Sequence, residues 1–167
     1  MCGVGELPDG KVRRDEPIML DALGQYEHYH GDFGRCAVVG TPSPEHIDRH
    51  RAICNGWEVA QEYLKPGITY SELSAAAGNA VRSSGFRHFR NPVVHSLGLE
   101  HTDDPKFAGV QPQDKPDQTL QAGMVVNVDM PHSEFGWGSV HMEDTVVITG
   151  NGCECLSSVP QDLIINE

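Results

Sequence analysis

Three acidic residues interrupt runs that are otherwise apolar: Asp21 in IMLDAL, Asp129 in VVNVDMP and Glu143 in HMEDTVVI. Side chains of an extended strand alternate between faces. Asn127 and Asp129 therefore share one face of their strand, and His141, Glu143 and Thr145 share one face of theirs. Met142, Val146 and Ile148 fall on the opposite, packing side. A carboxylate buried without a partner is costly, so each acid needs a cation, a hydrogen-bond donor or solvent. Two accounts fit this pattern: the acids sit at strand edges or in structural ion pairs, or they converge on a cation.

The elements that must hold these residues can be read in order. Residues 17–23 (PIMLDAL) read as a strand, residues 24–34 as a turn, and residues 35–40 as a second strand, together a hairpin. Ser43 suits a helix N-cap, Pro44 the first turn and Glu45 the positive end of the dipole. Ile47, Ile53, Cys54, Trp57, Ala60 and Leu64 recur at helical spacing until Lys65-Pro66-Gly67 ends the run. Thr69 and Glu72 have capping-box spacing for a second helix. Its apolar stripe is Leu73, Ala76, Ala77, Ala80 and Val81, and Ser84-Gly85 stops it. After the basic, aromatic stretch FRHFRNP comes VVHSLGLE at residues 93–100. Residues 105–118 read as an exposed loop, and residues 123–131 and 140–149 as strands. A hairpin, two helices and then strands predict an α+β fold, not alternating βαβ units.

Spacing sharpens the choice between the two accounts. Asp21 and Asp32 stand eleven residues apart across the hairpin, His95 lies in HSLGLE, and Asp129 and Glu143 are fourteen residues apart. The pattern resembles the five-ligand site of the pita-bread metallopeptidases, the prolidase and Xaa-Pro aminopeptidase branch above all. There, two aspartates on one hairpin, a histidine before a Gly-containing turn and two acids on later strands hold a pair of divalent metals. GDFGRCAVVGTPSPE is similar to the Asp-x-x-Arg hairpin of that family and LKPGITYSEL to its helix-turn-helix. GMVVNVDMP is similar to its penultimate acid strand and HMEDTVVIT to its final Glu-Asp strand. The segments follow in order through residues 17–156.

The resemblance implies a creatinase/aminopeptidase-like pita-bread fold, α+β in class, lacking most of its first half. Residues 1–16 would be an irregular lead-in, and residues 17–167 the truncated metal-binding catalytic domain. By resemblance, Asp21, Asp32, Asp129 and Glu143 are the acid ligands and His95 the imidazole ligand of two divalent ions. Such a hard donor set suits manganese, cobalt, iron or zinc. A water activated by the two metals would then cleave an amide bond of a small substrate, such as a dipeptide or an N-terminal Xaa-Pro peptide.

Three positions depart from the family pattern. A second histidine, which aids proton transfer and substrate binding, usually lies seven residues after the ligand histidine; here that position is Thr102, with His101 beside it. His101 either replaces it after a local shift or is an exposed loop residue, and geometry must decide. The penultimate ligand is usually glutamate and here is Asp129. An arginine usually stands two residues before the final glutamate, where this chain has His141, either a hydrogen-bond donor behind the ligands or a plain polar strand residue. His101 and His141 are thus the candidate catalytic side chains. Trp137 either walls a substrate pocket or simply packs, and the Arg87-His88-Phe89-Arg90 cluster either binds an anionic substrate end or is a solvated loop. Tyr29 and His30 either line the pocket or are exposed turn residues.

Composition narrows the function further. A chain of 167 residues suits one domain, and the 24 acidic against 12 basic residues give a net charge of −12. That charge repels phosphate backbones and anionic membranes, so neither nucleic acid nor membrane is expected as a partner. No apolar run approaches a membrane span, and MCGVGELPDGKVRRDEP lacks the features of an export signal, which predicts a cytoplasmic location. The five scattered cysteines, Cys2, Cys36, Cys54, Cys153 and Cys155, are expected to be reduced thiols. The absent first half points to a homodimer or to association with a missing half. Two competing functions remain: a non-peptidase relative on the same metal site (a small-amide hydrolase or a dimethylsulfoniopropionate-type lyase), and an inactive fragment or interaction module.

Overall fold

The computed structural model describes residues 11–108 and 117–166. Residues 1–10 of the expected lead-in and residues 109–116 of the expected loop lie outside the described residues.

The chain begins with a long antiparallel hairpin, β1 (Pro17–Tyr26) and β2 (Tyr29–Val39). Its turn is tighter than the sequence suggests. Glu27 and His28 both have positive φ, 48° and 73°, and make a two-residue connection of the primed type that follows strand twist. No glycine marks it, so Asp32 lies inside β2 and not in a turn.

Two helices follow. α1 (Pro44–Tyr63) starts where the Ser43 hydroxyl accepts the His46 N–H, with Pro44 in the first turn. α2 (Tyr70–Ser83) starts at Thr69 with a complete capping box to Glu72. Ile53, Trp57, Ala60 and Leu64 of the first run are buried against Leu73, Ala77 and Val81 of the second, whereas Ile47 stays exposed. Burying a side chain of Leu, Ile or Phe size contributes about 1.5–3 kcal/mol, so this apolar seam dominates the helical layer.

The remaining strands are β3 (Val93–Ser96), β4 (Asp103–Ala108), β5 (Val125–Glu134), β6 (Gly138–Ile148), β7 (Cys153–Cys155) and β8 (Ile164–Asn166). The main sheet runs β1-β2-β6-β5-β3-β4, with β7 beside β6 and β8 parallel to β2. β4 corrects the loop expected to start at residue 105. Pro105 sits in a terminal strand of the sheet, where a missing backbone donor is tolerated. Val126, Val128 and Met130 of β5, with Val140, Met142, Val146 and Ile148 of β6, join the helix core as alternation requires. Their odd-numbered neighbours face away from the helices. Among the described residues, no helix is long and apolar enough to cross a membrane.

Candidate metal centre

Strand pairing assembles the polar face. Asp21 of β1 is opposite Gly34 of β2, Gly34 is opposite Glu143 of β6, Glu143 is opposite Asp129 of β5, and Asp129 is opposite Val93 of β3. One lateral row of the sheet thus carries three of the predicted acids. Asp32 and His95 come from the adjoining positions, opposite Leu23 and Asn127. Carboxylates far apart in sequence become neighbours because the hairpins keep their register.

The side chains converge. Donor atoms of Asp21, Asp32 and Glu143 lie within 4.8 Å of one another, as do those of Asp129, His141 and Glu143, and those of Asp32, His95 and His101. The His95 Nε2 is 3.9 Å from both Asp32 Oδ2 and Glu143 Oε1. The His101 Nε2 stands 2.8 Å from Asp32 Oδ2, and its ring centroid is 5.4 Å from that of His95. His101 thus reaches into the cluster, with its side chain still about half exposed. The His141 Nε2 is 2.7 Å from Asp129 Oδ1 and 3.5 Å from Glu143 Oε2.

Neighbours fix these positions. The Thr145 hydroxyl and the Asn127 amide donate to the Asp32 carbonyl at 2.8 and 3.2 Å. Alternation placed both on the site faces, but only the cross-strand geometry gives them this task. The Cys36 thiol accepts the His141 N–H at 2.8 Å and donates to the His141 carbonyl at 3.2 Å. The Tyr70 and Ser96 hydroxyls are 2.8 Å apart, and the Ser74 hydroxyl donates to the Pro92 carbonyl at 2.6 Å, which fixes β3 against α2 next to His95. On the other side of the sheet the buried Arg35 guanidinium donates to the carbonyls of Gly34 and Glu143 and to Asp144, a role that no local sequence signal reveals.

The electrostatics of the cluster suit a cation. Asp32 and Glu143 are only 5% and 2% exposed, and Asp32 Oδ1 has no hydrogen-bond partner. Burial, then the charges of Asp129 and Asp32, push the Glu143 carboxyl up to about 10. Burial opposes protonation of His141, but the Asp129 hydrogen bond and the fields of Asp129, Glu143 and Asp21 outweigh it and raise its pKa. Carboxylates crowded this closely repel one another, and a divalent cation relieves both the repulsion and the orphaned oxygen. The oxygen and imidazole donors therefore fit divalent metal ions. The thiols offer no competing nucleophile: burial pushes Cys36 up to about 12 and Cys54 up to about 11. Cys36, Cys54, Cys153 and Cys155 are all free, and Cys2 lies outside the described residues.

Other singled-out residues sit elsewhere. Trp137 packs edge-on to His46 and under the Arg49 guanidinium against α1, the plain packing role. Phe89 is in the core, while Arg87, His88 and Arg90 are exposed around it. Tyr29 is exposed in the hairpin. A groove of about 900 Å³ lined by Glu45, Arg49, Arg51, Glu58 and Arg87 lies on the helical side and includes none of the clustered residues. Chemistry, not cavity size, locates the site.

A twisted sheet with a carboxylate–imidazole cluster on one face and a helical hairpin on the other is the C-terminal portion of a pita-bread fold. Residues 3–150 match metallopeptidase family M24, and the chain belongs to that family. It is 30% identical over 161 residues to the Xaa-Pro dipeptidase of Pyrococcus horikoshii, covering 96% of this chain and 44% of that protein. Among solved structures it is similar to the prolidase from Pyrococcus horikoshii OT3 (TM-score 0.83, 29% identity, 95% of this chain and 46% of that one). It is also similar to the X-Pro aminopeptidase from Thermotoga maritima MSB8 (TM-score 0.82, 28% identity, 96% and 46%). The chain spans less than half the length of these relatives.

Proposed function

We propose that residues 17–167 form the metal-binding catalytic unit of a peptidase acting on small peptides, Xaa-Pro dipeptides first among them. Asp21, Asp32, His95, Asp129 and Glu143 would hold two divalent ions, with manganese, cobalt, iron and zinc all compatible with the donor types. The observation that carries this reading is the convergence of buried Asp32 and Glu143 with Asp21 on one sheet face, with Asp32 Oδ1 left without a partner. The Xaa-Pro dipeptidases among its relatives favour a peptide over a sulfonium or other non-peptide substrate.

Bound divalent ions would supply Lewis acidity to water and to a scissile carbonyl. The chain's own residues do the rest. Thr145 and Asn127 hold Asp32 through its carbonyl, so its carboxylate keeps a fixed aim. His101, partly exposed and hydrogen-bonded to Asp32, stands where it can orient a substrate and pass a proton. His141 holds Asp129 from the buried side. Relatives more than twice as long support a pocket completed from outside these residues, by a second copy or by an associated half. The charge of −12 argues against nucleic-acid and anionic-membrane partners.

The test is metal content by plasma mass spectrometry after loading with manganese or cobalt and desalting, followed by assay on Gly-Pro beside a panel of non-peptide amides. The expected result is about two equivalents of metal, lost in Asp32→Ala and Glu143→Ala, with cleavage of the dipeptide. Folded parent protein that retains no metal would overturn the reading.

A further inference from the structure

We infer that His141 is itself a metal ligand in this chain, adding an imidazole to the side of the centre built by Asp129 and Glu143. The inference rests on the metal centre proposed above and extends it to a residue outside the five-ligand set.

Two donors that share one ion, each bound at roughly 2.0–2.2 Å, sit about 3–3.5 Å apart. The His141 Nε2 is 2.7 Å from Asp129 Oδ1 and 3.5 Å from Glu143 Oε2. All three donors fall within 4.8 Å of one another, so one ion can meet them with small side-chain adjustments. Sheet register makes this proximity structural: Asp129 faces Glu143, and the adjoining same-face pair is Pro131 with His141.

The site is also built to receive a ring. His141 is 1% exposed, and its imidazole lies against Gly34, the residue between Asp21 and Glu143 in the lateral row. A Cβ at Gly34 would come within 2.4 Å of His141 Cε1 and 2.7 Å of Nε2. Glycine at position 34 leaves the space that the ring fills. The backbone of His141 is held in turn by the Cys36 thiol.

The chemical consequence is a more nitrogen-rich centre. His95 would supply one imidazole beside Asp32, and His141 a second beside Asp129 and Glu143. Imidazole donors suit zinc and cobalt, whereas all-oxygen sites suit manganese and magnesium. His141 therefore tilts the metal preference of this chain toward zinc and cobalt.

Two measurements test this on the parent, His141→Gln and His141→Arg, with far-UV circular dichroism as the folding check. The first counts the solvent-exchangeable, hyperfine-shifted imidazole N–H protons in the proton NMR spectrum of cobalt(II)-loaded protein. The second is the zinc-to-manganese affinity ratio from competition with a chelator. The expected result is one fewer imidazole proton in both variants and a zinc affinity lower by about tenfold or more, with manganese affected less. Variants that bind cobalt with every imidazole proton of the parent, and with its metal ratio, would overturn the role of His141 while leaving the metal centre standing. In that case His141 serves as a hydrogen-bond donor to Asp129 in the place of an arginine, and His141→Arg should match the parent. A parent that binds neither metal overturns both readings together.

Discussion

Replacing Arg35 with methionine should destabilise the protein by about 3–5 kcal/mol, the cost of breaking a buried pair from one side. Arg35 is 1% exposed, and its Nη2 meets Asp144 Oδ1 at 2.8 Å. The other donations go to the carbonyls of Gly34 (2.7 Å), Glu143 (2.8 Å), Val159 (2.8 Å) and Pro160 (2.9 Å). Methionine keeps most of the packing volume and removes every donor. Asp144, wholly buried, is then left with the Gln161 amide alone at 2.6 Å. For a domain of this size each kcal/mol moves the midpoint by about 2–4 °C, so the thermal shift should be roughly 6–20 °C downward. Arg35→Met combined with Asp144→Leu should recover a large part of the loss, because replacing both members of a buried pair by apolar groups is often neutral. Urea and thermal denaturation of the parent, the two single variants and the double variant give the cycle. A single variant within about 1 kcal/mol of the parent, or a double variant as weak as the sum of the singles, would refute the reasoning. Metal affinity should fall as well, since the same guanidinium joins the Gly34 and Glu143 carbonyls where β2 meets β6.

In metal-free protein the folded-state pKa of Glu143 is raised to about 10 and that of His141 is also raised. Both groups contribute stability that is present at low pH and lost as pH rises, from about 4.5 toward 10 for Glu143. Chelator-treated protein should therefore melt progressively lower between pH 5 and pH 9 than Glu143→Gln does, as followed by thermal denaturation. Metal binding must displace the Glu143 proton, so apparent affinity should rise by up to about tenfold per pH unit in that window, measured by titration at fixed ionic strength. Gly56→Ala should destabilise by about 1–2 kcal/mol despite its better helix propensity, because overpacking outweighs that gain. The new Cβ would lie 2.3 Å from Val81 Cγ2 and 3.2 Å from the Ala77 carbonyl, and urea denaturation reads the effect. Ser43→Ala should cost about 1 kcal/mol through loss of the α1 cap, again read by denaturation.

What the sequence disclosed, and what it concealed, follows from the range of each interaction. Helix starts were legible because Ser43 and Thr69 act on N–H groups three residues away. The faces of β5 and β6 were legible because alternation is local, and it placed Asp129, His141 and Glu143 on the side away from the helix core. The hairpin turn was not, since Glu27 and His28 adopt positive φ without the glycine or asparagine that usually announces it. β4 was hidden by Pro105, which argues against a strand until the strand is known to be at the sheet's edge. β7 and β8, three residues each, have no period to detect and exist only by pairing with β6 and β2. Arg35 reads as part of an Asp-x-x-Arg motif, but its side-chain partner Asp144 lies 109 positions on.

His101 is the sharpest case, because counting along the chain leaves its place open. It follows His95 by six residues where the family pattern has seven, and residue 102 is a threonine. Between β3 and β4 the chain turns, and the turn carries its own ties. The Leu99 N–H donates to Asp103 Oδ2 at 3.0 Å, and Gly98 gives that carboxylate room, since a Cβ there would lie 2.5 Å from the same oxygen. The Gly98 carbonyl then accepts the His30 N–H at 2.9 Å, fastening the turn to the β1–β2 hairpin two residues before Asp32. With both ends held, the path of the turn decides which side chain reaches the acid, and it delivers His101 to 2.8 Å from Asp32. On the proposed function, what is required there is an imidazole at a point in space, not at a fixed count along the chain. Loops with fixed ends can meet that requirement from more than one register, whereas strands cannot, because a one-residue slip moves every side chain to the other face. The acids of this centre had to keep strand parity; the histidine on the turn did not.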